Sequence, residues 1–155
     1  MADERAQIIR DAARLAAKEV GGTLATMHAE DGTPYVTYVF FHLRNDGDVV
    51  FASMAGPQHA RNIDATPEVS FLIDNREVIP SDWKTFDRVV IEGRAERVPP
   101  DDPRYERFLE ELGGKNELAA RFSAERGDVY CIRPRRLILR SGTDPRVRLV
   151  DFEDR

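Results

Sequence analysis

The sequence predicts an α+β fold, mainly β, in which six antiparallel strands close into a small barrel with peripheral helices. Two observations support this fold class. Short segments rich in alternating, β-branched or aromatic residues recur along the chain, and Asp-Gly turns join the first three as hairpins. Helical segments with 3.6-residue apolar spacing are inserted between these strands, which is typical of helices packed around an antiparallel sheet.

The first part of the chain predicts one helix and a three-stranded meander. Segment 3–20 has apolar residues such as Ile8, Ala12 and Leu15 at helical spacing, so we expect an amphipathic helix that Gly21-Gly22 ends. Asp31-Gly32 and Asp46-Gly47 then mark two hairpin turns. The three strands that these turns join are expected at 23–29, 34–43 and 49–53.

The second part predicts three more strands and shorter helices. Segment 75–85, which contains Pro80, is expected to be irregular, and Gly113-Gly114 is expected to break a helix. Pro134 indicates a bend or an edge position in the last long strand. The expected helices are 57–65, 104–112 and 116–122, and the expected strands are 68–74, 86–98 and 128–140. The charged tail 144–155 is expected to become ordered only through a partner.

Composition excludes several classes of protein. The 155 residues are 41% hydrophobic, enough for one domain with a core at about 21–140, and no apolar run is long enough to span a membrane. A net charge of −5 argues against a nucleic-acid partner. The single cysteine, Cys131, is expected to be a buried small residue, and the absence of a leader-like apolar segment indicates a cytoplasmic location.

The segment Val49–Ile63 is the most informative part of the chain. It predicts a strand ending at Ser53, a Gly-Pro turn, and a helix whose first turn carries Gln58, His59 and Arg61. A helix start offers free N–H groups and a positive dipole end, so this segment suits an anion such as a phosphate. The alternative interpretation is an ordinary strand–turn–helix with a solvated first turn.

Three segments occur in a particular order along the chain: Gly22–Thr26, Asp31–Val36, and Phe51–Ser53 followed by His59–Ile63. Together with the later strand Val89–Glu96, this order resembles the flavin-binding split β-barrel superfamily, which includes pyridoxamine 5'-phosphate oxidase. The resemblance implies a homodimer that binds flavin mononucleotide (FMN) at the subunit interface. The implied cofactor residues are Thr37, Tyr38, Val39 and Phe40 along the ring, Ser53, Gln58 and His59 at the phosphate with Arg61 nearby, and Arg88 approaching the ring.

The sequence departs from the superfamily pattern at the charged positions. Gln58 and His59 stand where the superfamily has Lys or Arg in the phosphate-binding turn, and Thr37 and His42 stand where the oxidases carry Arg and Lys. Because histidine is only partly charged near neutral pH, we expect weaker or pH-dependent phosphate binding. Oxidation of vitamin B6 phosphates is therefore not expected, and haem or a deazaflavin (F420) are alternative cofactors.

Two hypotheses about function follow from different classes of protein. One is an oxidoreductase, in which bound FMN takes a hydride from an unidentified small substrate; the other is a non-enzymatic protein that binds flavin, haem or F420. No nucleophile order and no metal-ligand spacing stands out, so no catalytic residue and no metal ligand is named. A single small barrel would leave apolar strand faces uncovered, which independently favours a homodimer.

Overall fold

In the part of the chain that the structure describes, seven antiparallel strands form one sheet, and six of them close into a barrel. The computed structural model describes residues 1–54, 56–76 and 82–153. The strand order is β3-β2-β1-β4-β5-β6-β7, and pairing of β3 with β6 closes the barrel. The strands are β1 (Gly21–Met27), β2 (Pro34–Leu43), β3 (Val49–Met54), β4 (Glu68–Asp74), β5 (Arg88–Val98), β6 (Gly127–Ser141) and β7 (Asp144–Asp151). The predicted mainly β fold with a six-stranded antiparallel barrel is confirmed.

The long strand β6 belongs to two pairings along one edge. Its first half, up to Ile132, pairs with β3, and its second half, from Arg136, pairs with β7, while β5 runs along the other edge. The register with β5 shifts between Glu92 and Gly93, opposite Pro134. A Cβ at Gly93 would lie 2.2 Å from the carbonyl oxygen of Arg133, so only glycine permits this close approach. The predicted bend at Pro134 is therefore a β-bulge.

The segment expected to be a charged tail is largely a strand. Residues Asp144–Asp151 form β7, which pairs with β6 of the same chain, so the expectation that the tail needs a partner to become ordered is wrong for these residues. Arg148 also donates to Asp11 of the N-terminal helix at 2.7 Å. The strand was not evident from the sequence because its exposed positions carry both charged and apolar residues, and only Val150 is buried. Residues 154–155 lie outside the described part of the chain.

The α-helices among the described residues are α1 (Ala2–Ala17), α2 (Gln58–Ala65), α3 (Tyr105–Lys115) and α4 (Glu117–Arg126). Two glycine pairs behave differently from the prediction. Helix α1 ends at Ala17, before Gly21 and Gly22. These two glycines belong to β1, where a side chain at Gly21 would collide with the ring of Tyr38 and one at Gly22 with the ring of Phe71. Helix α3 continues through Gly113-Gly114 to Lys115, because its apolar face remains packed at Leu112.

Apolar residues form two clusters, one on each side of the sheet. The larger fills the barrel and includes the stacked rings of Phe51 and Tyr130, with α1 packed against it. The smaller lies between the outer face of β3 and β6 and the helices α3 and α4. Cys131 belongs to this second cluster and is buried, as predicted. Within the segment expected to be irregular, Trp83–Thr85 forms one 3₁₀ turn, and 77–81 lie outside the described residues.

Candidate functional site

A split between β2 and β3 creates the candidate site. The two strands pair only from Phe40 to Leu43, opposite Val49–Ala52. Toward Pro34, β2 stays paired with β1 but its second edge pairs with no described strand, while β3 continues along β6 to Met54. The N–H and C=O groups of this edge are therefore available to a ligand, as at any sheet edge.

The split opens into a cavity of 450 Å³. One wall is β2, the second is the end of β3 with the start of α2, and the third is α4. Its lining is predominantly apolar and aromatic, which is the usual character of a small-molecule site. The lining residues are Tyr35, Thr37, Tyr38, Val39, Phe40, Ala52, Ser53, Pro57, His59, Leu118, Ala119 and Phe122.

Three of these apolar side chains are exposed to solvent. Tyr38 is 58% exposed, Phe40 37% and Leu118 67%, and the rings of Tyr38 and Phe40 meet edge to face with centroids 6.1 Å apart. Large apolar side chains that rim a cavity are typical of a surface that a ligand or a partner covers. The cavity is thus bordered by an apolar surface that the single chain leaves open.

A buried pair of polar side chains forms the inner end of the cavity. The Oγ of Ser53 lies 2.5 Å from Nε2 of His59, and both side chains are buried. Burial lowers the pKa of His59, since the charged ring would lose its hydration. His59 is therefore neutral at pH 7, and it contributes hydrogen bonding but no positive charge to this wall.

Gln58 and Arg61 lie on the first turn of α2, beside the cavity. The Nε2 of Gln58 donates to Glu30 Oε2 at 2.9 Å and to Asn62 Oδ1 at 2.8 Å. Arg61 donates to Gln58 Oε1 and, through Nη1, to the carbonyl of Gly56 at 3.1 Å. Arg61 is thus the cation of this turn, and a carboxylate of the chain already lies against it.

Arg88 lies away from the other candidate residues. It begins β5, its guanidinium lies over the ring of Phe86 at 5.5 Å, and it lines a separate cavity with Arg140. Within one chain, the structure therefore brings Thr37, Tyr38, Val39, Phe40, Ser53 and His59 around one cavity, places Gln58 and Arg61 next to it, and leaves Arg88 outside.

The sequence analysis missed the contribution of α4. Leu118 and Phe122 are one helical turn apart and face the cavity with Ala119. Their i, i+4 spacing was a detectable signal. Nothing in the sequence indicated that this helix packs against β3, because that contact joins segments more than sixty residues apart.

A larger cavity of 580 Å³ lies at the bulge between β5 and β6, and it has a different character. It is lined by arginines and glutamates that partly neutralise each other, such as Arg94 and Glu68 with Nη1 and Oε1 at 2.5 Å. One aromatic side chain, Phe152, lines this larger cavity, whereas four line the smaller one beside an open strand edge. We therefore take the smaller cavity as the candidate site.

Two further classes of site find no support in residues 1–54, 56–76 and 82–153. No three His, Cys, Asp or Glu side chains are grouped there so that they could hold a metal ion. In the same part of the chain, none of the helices has the length and apolar character needed to cross a membrane.

The family model named pyridoxamine 5'-phosphate oxidase matches residues 8–140. The chain therefore belongs to the pyridoxamine 5'-phosphate oxidase-like family, whose split barrel the fold reproduces. No curated protein sequence matches it significantly.

Solved structures similar to this chain include proteins that bind different groups. A haem-binding protein from Mycobacterium smegmatis aligns with a TM-score of 0.76 and 23% identity over 92% of this chain and 57% of its own. The haem-storage protein HutZ from Vibrio cholerae aligns with a TM-score of 0.68 and 20% identity over 81% of this chain and 88% of its own. An FAD-binding protein from Mesorhizobium loti aligns with a TM-score of 0.65 and 18% identity over 83% and 90% of the two chains. At these identities the similarity establishes the fold.

Proposed function

We propose that this chain is a flavin-binding protein that uses FMN, works as a homodimer and acts as an oxidoreductase on an unidentified small substrate. The observation that carries the proposal is the cavity in the split, where aromatic side chains of β2 lie beside an unpaired strand edge and the start of α2. A flavin supplies hydride chemistry, and the protein supplies binding and orientation.

The residues present fit the parts of FMN. The isoalloxazine ring is flat and apolar with a polar rim, so it suits the rings of Tyr38 and Phe40 together with the backbone groups of the β2 edge. The phosphate suits the first turn of α2, where N–H groups, the Gln58 amide and the Arg61 guanidinium lie together. Ser53 and His59 contribute neutral hydrogen bonding between these two parts.

The homodimer is supported by a row of apolar side chains across the outer face of the sheet. In register, Tyr38 lies beside Thr23, Thr23 beside Leu72, and the row continues through the next three strands to Val90, Ile138 and Leu149. Leu149 is 46% exposed and Tyr38 58%. Apart from Thr23, the side chains of this row are apolar; such a row is costly to expose to water, and a second copy of the chain would cover it. In such a dimer, Arg88 could approach the ring held by the partner.

An absorption spectrum after gel filtration with FMN tests the cofactor. We expect retained flavin bands at one FMN per chain. Leu118→Glu should reduce retention because it places a charge on the exposed rim of the cavity, whereas Ala124→Glu, on the same helix but outside the cavity lining, should retain FMN as the wild type does. Equal retention by the two variants would place the flavin elsewhere.

Reduction of the bound flavin separates the enzyme from a carrier. We expect reduced nicotinamide to bleach the bound FMN faster than it bleaches free FMN under the same conditions. Bleaching by dithionite alone would favour a non-enzymatic flavin-binding protein.

Molar mass measured by light scattering tests the homodimer. The wild type is expected at twice the 17.6 kDa of the chain. Leu149→Glu should shift the mass toward the monomer, because a buried unpaired carboxylate is strongly unfavourable at an apolar interface. A wild-type monomer at micromolar concentration would refute this part of the proposal.

Haem is the second candidate ligand. The neutral, buried His59 at the wall of an apolar cavity favours it, since a neutral imidazole is the form that coordinates iron. Two of the similar structures, from Mycobacterium smegmatis and Vibrio cholerae, are of haem-binding and haem-storage proteins. A sharp Soret band after haem addition that His59→Gln abolishes, combined with no FMN retention, would favour haem over flavin. The deazaflavin F420 is tested in the same gel-filtration assay.

A further inference from the structure

The carboxylate of Glu30 lies where an anionic ligand of α2 would lie. Glu30 is in the turn between β1 and β2, and both of its carboxylate oxygens accept from Gln58 Nε2, at 2.9 and 3.3 Å. Arg61 Nε is 3.9 Å from Oε1, and His28 Nδ1 is 3.3 Å from Oε2. The chain thus places an anion of its own against the donors that the proposed flavin site offers to a phosphate.

A buried clamp holds this carboxylate in place. The side chain of Asn62 is fully buried, and its Oδ1 accepts from the backbone N–H of Ala29 at 2.9 Å and from Gln58 at 2.8 Å. Its Nδ2 donates to Thr26 Oγ1 at 2.9 Å. Because Ala29 precedes Glu30, these bonds fix the hairpin to α2 and restrict where the Glu30 carboxylate can go.

We propose that Glu30 determines the specificity of the site for the tail of its ligand, by competing with a phosphate for Gln58 and Arg61. This role of Glu30 rests on the proposed flavin site. The part of the ligand that Glu30 disfavours is the phosphate. A phosphate must displace the Glu30 carboxylate and then tolerate its negative charge nearby, whereas a neutral tail meets neither obstacle.

The expected size of this effect is moderate. The Glu30 side chain is 59% exposed and Arg61 54%, so water screens the interaction. A hydrogen bond from its own backbone N–H and a second from the Gln58 side chain lower the pKa of Glu30, so the carboxylate is ionised at neutral pH. Exposed contacts of this kind correspond to a change of about two- to fivefold in a dissociation constant.

The experiment compares FMN with riboflavin, which has the same ring but no phosphate. The variant Glu30→Gln removes the charge and keeps an oxygen that can accept from Gln58. We expect it to tighten FMN binding about two- to fivefold and to leave riboflavin binding unchanged. Glu68→Gln makes the same change of charge on β4 and should alter neither affinity. Equal changes for both flavins in Glu30→Gln would overturn the proposal.

A second readout does not depend on flavin. Inorganic phosphate is titrated into the wild type and Glu30→Gln while NMR follows the side-chain amide of Gln58 and the backbone amide of Ala60. Tighter phosphate binding in the variant supports the role of Glu30, even if no flavin is retained and the proposed function fails. Unchanged phosphate binding overturns the role of Glu30, even if FMN binds and the proposed function stands.

Discussion

Replacing Asn62 with alanine tests the clamp that joins the β1–β2 hairpin to α2. The substitution removes three hydrogen bonds, to the Ala29 N–H, to Gln58 Nε2 and from Nδ2 to Thr26 Oγ1. Thr26 is buried, so its hydroxyl loses the hydrogen bond from Asn62 at a position that water does not reach. The Gln58 side chain, in contrast, can turn to solvent.

The magnitude follows from these three bonds. At about 1 kcal/mol for each intramolecular hydrogen bond, the loss is about 3 kcal/mol. Alanine is a better helix former than asparagine and returns up to about 0.7 kcal/mol. The expected fall in the free energy of unfolding is therefore about 2–3 kcal/mol, equivalent to a decrease in Tm of about 4–12 °C for a chain of this length.

Urea unfolding followed by circular dichroism measures this quantity. Asn45→Ala, at an exposed position in the β2–β3 turn, is the control and should change stability by less than about 0.5 kcal/mol. The double variant Asn62→Leu with Thr26→Val should cost less than Asn62→Ala alone, because it removes both partners of one buried bond. If Asn62→Ala unfolds within about 0.5 kcal/mol of the wild type, the clamp does not stabilise the fold.

Three other predictions concern backbone, thiol and histidine. Gly93→Ala should destabilise the protein by about 1–3 kcal/mol in the same urea assay, because its Cβ would meet a carbonyl oxygen at 2.2 Å. Gly114→Ala in α3 is the control: its Cβ would have open space around it, so the substitution should stabilise the protein by about 0.5–1 kcal/mol. Burial raises the pKa of Cys131 to about 12, so a thiol reagent at pH 8 should label it only after denaturant is added; rapid labelling of the native protein would contradict the burial. Burial lowers the pKa of His59 below 6.5, so the unfolded chain binds a proton that the native state resists, and stability should fall as the pH drops through 6.5. Unfolding measured between pH 5 and 8 should show a shallower fall for His59→Gln.

Most strands could be predicted because their signals are local. β2 and β4 begin and end where the sequence analysis placed them, since their β-branched and aromatic residues and the flanking turns are visible within ten residues. The buried role of Cys131 also followed from the alternation of β6. β7 was missed because charged and apolar residues are mixed among its exposed positions and its pairing with β6 is a tertiary property.

Some features of the candidate site could likewise be predicted from the sequence, and others could not. The sequence was sufficient to locate the aromatic strand with Tyr38 and Phe40 and the turn that carries Ser53, Gln58 and His59, because residue type and order along the chain indicate them. Only the tertiary structure decided that β2 and β3 separate beyond Phe40, that α4 closes the cavity, and that Glu30 lies against Gln58. The physical reason is distance along the chain: Glu30 and Gln58 are 28 residues apart, and only the register of the barrel and the buried Asn62 bring them together.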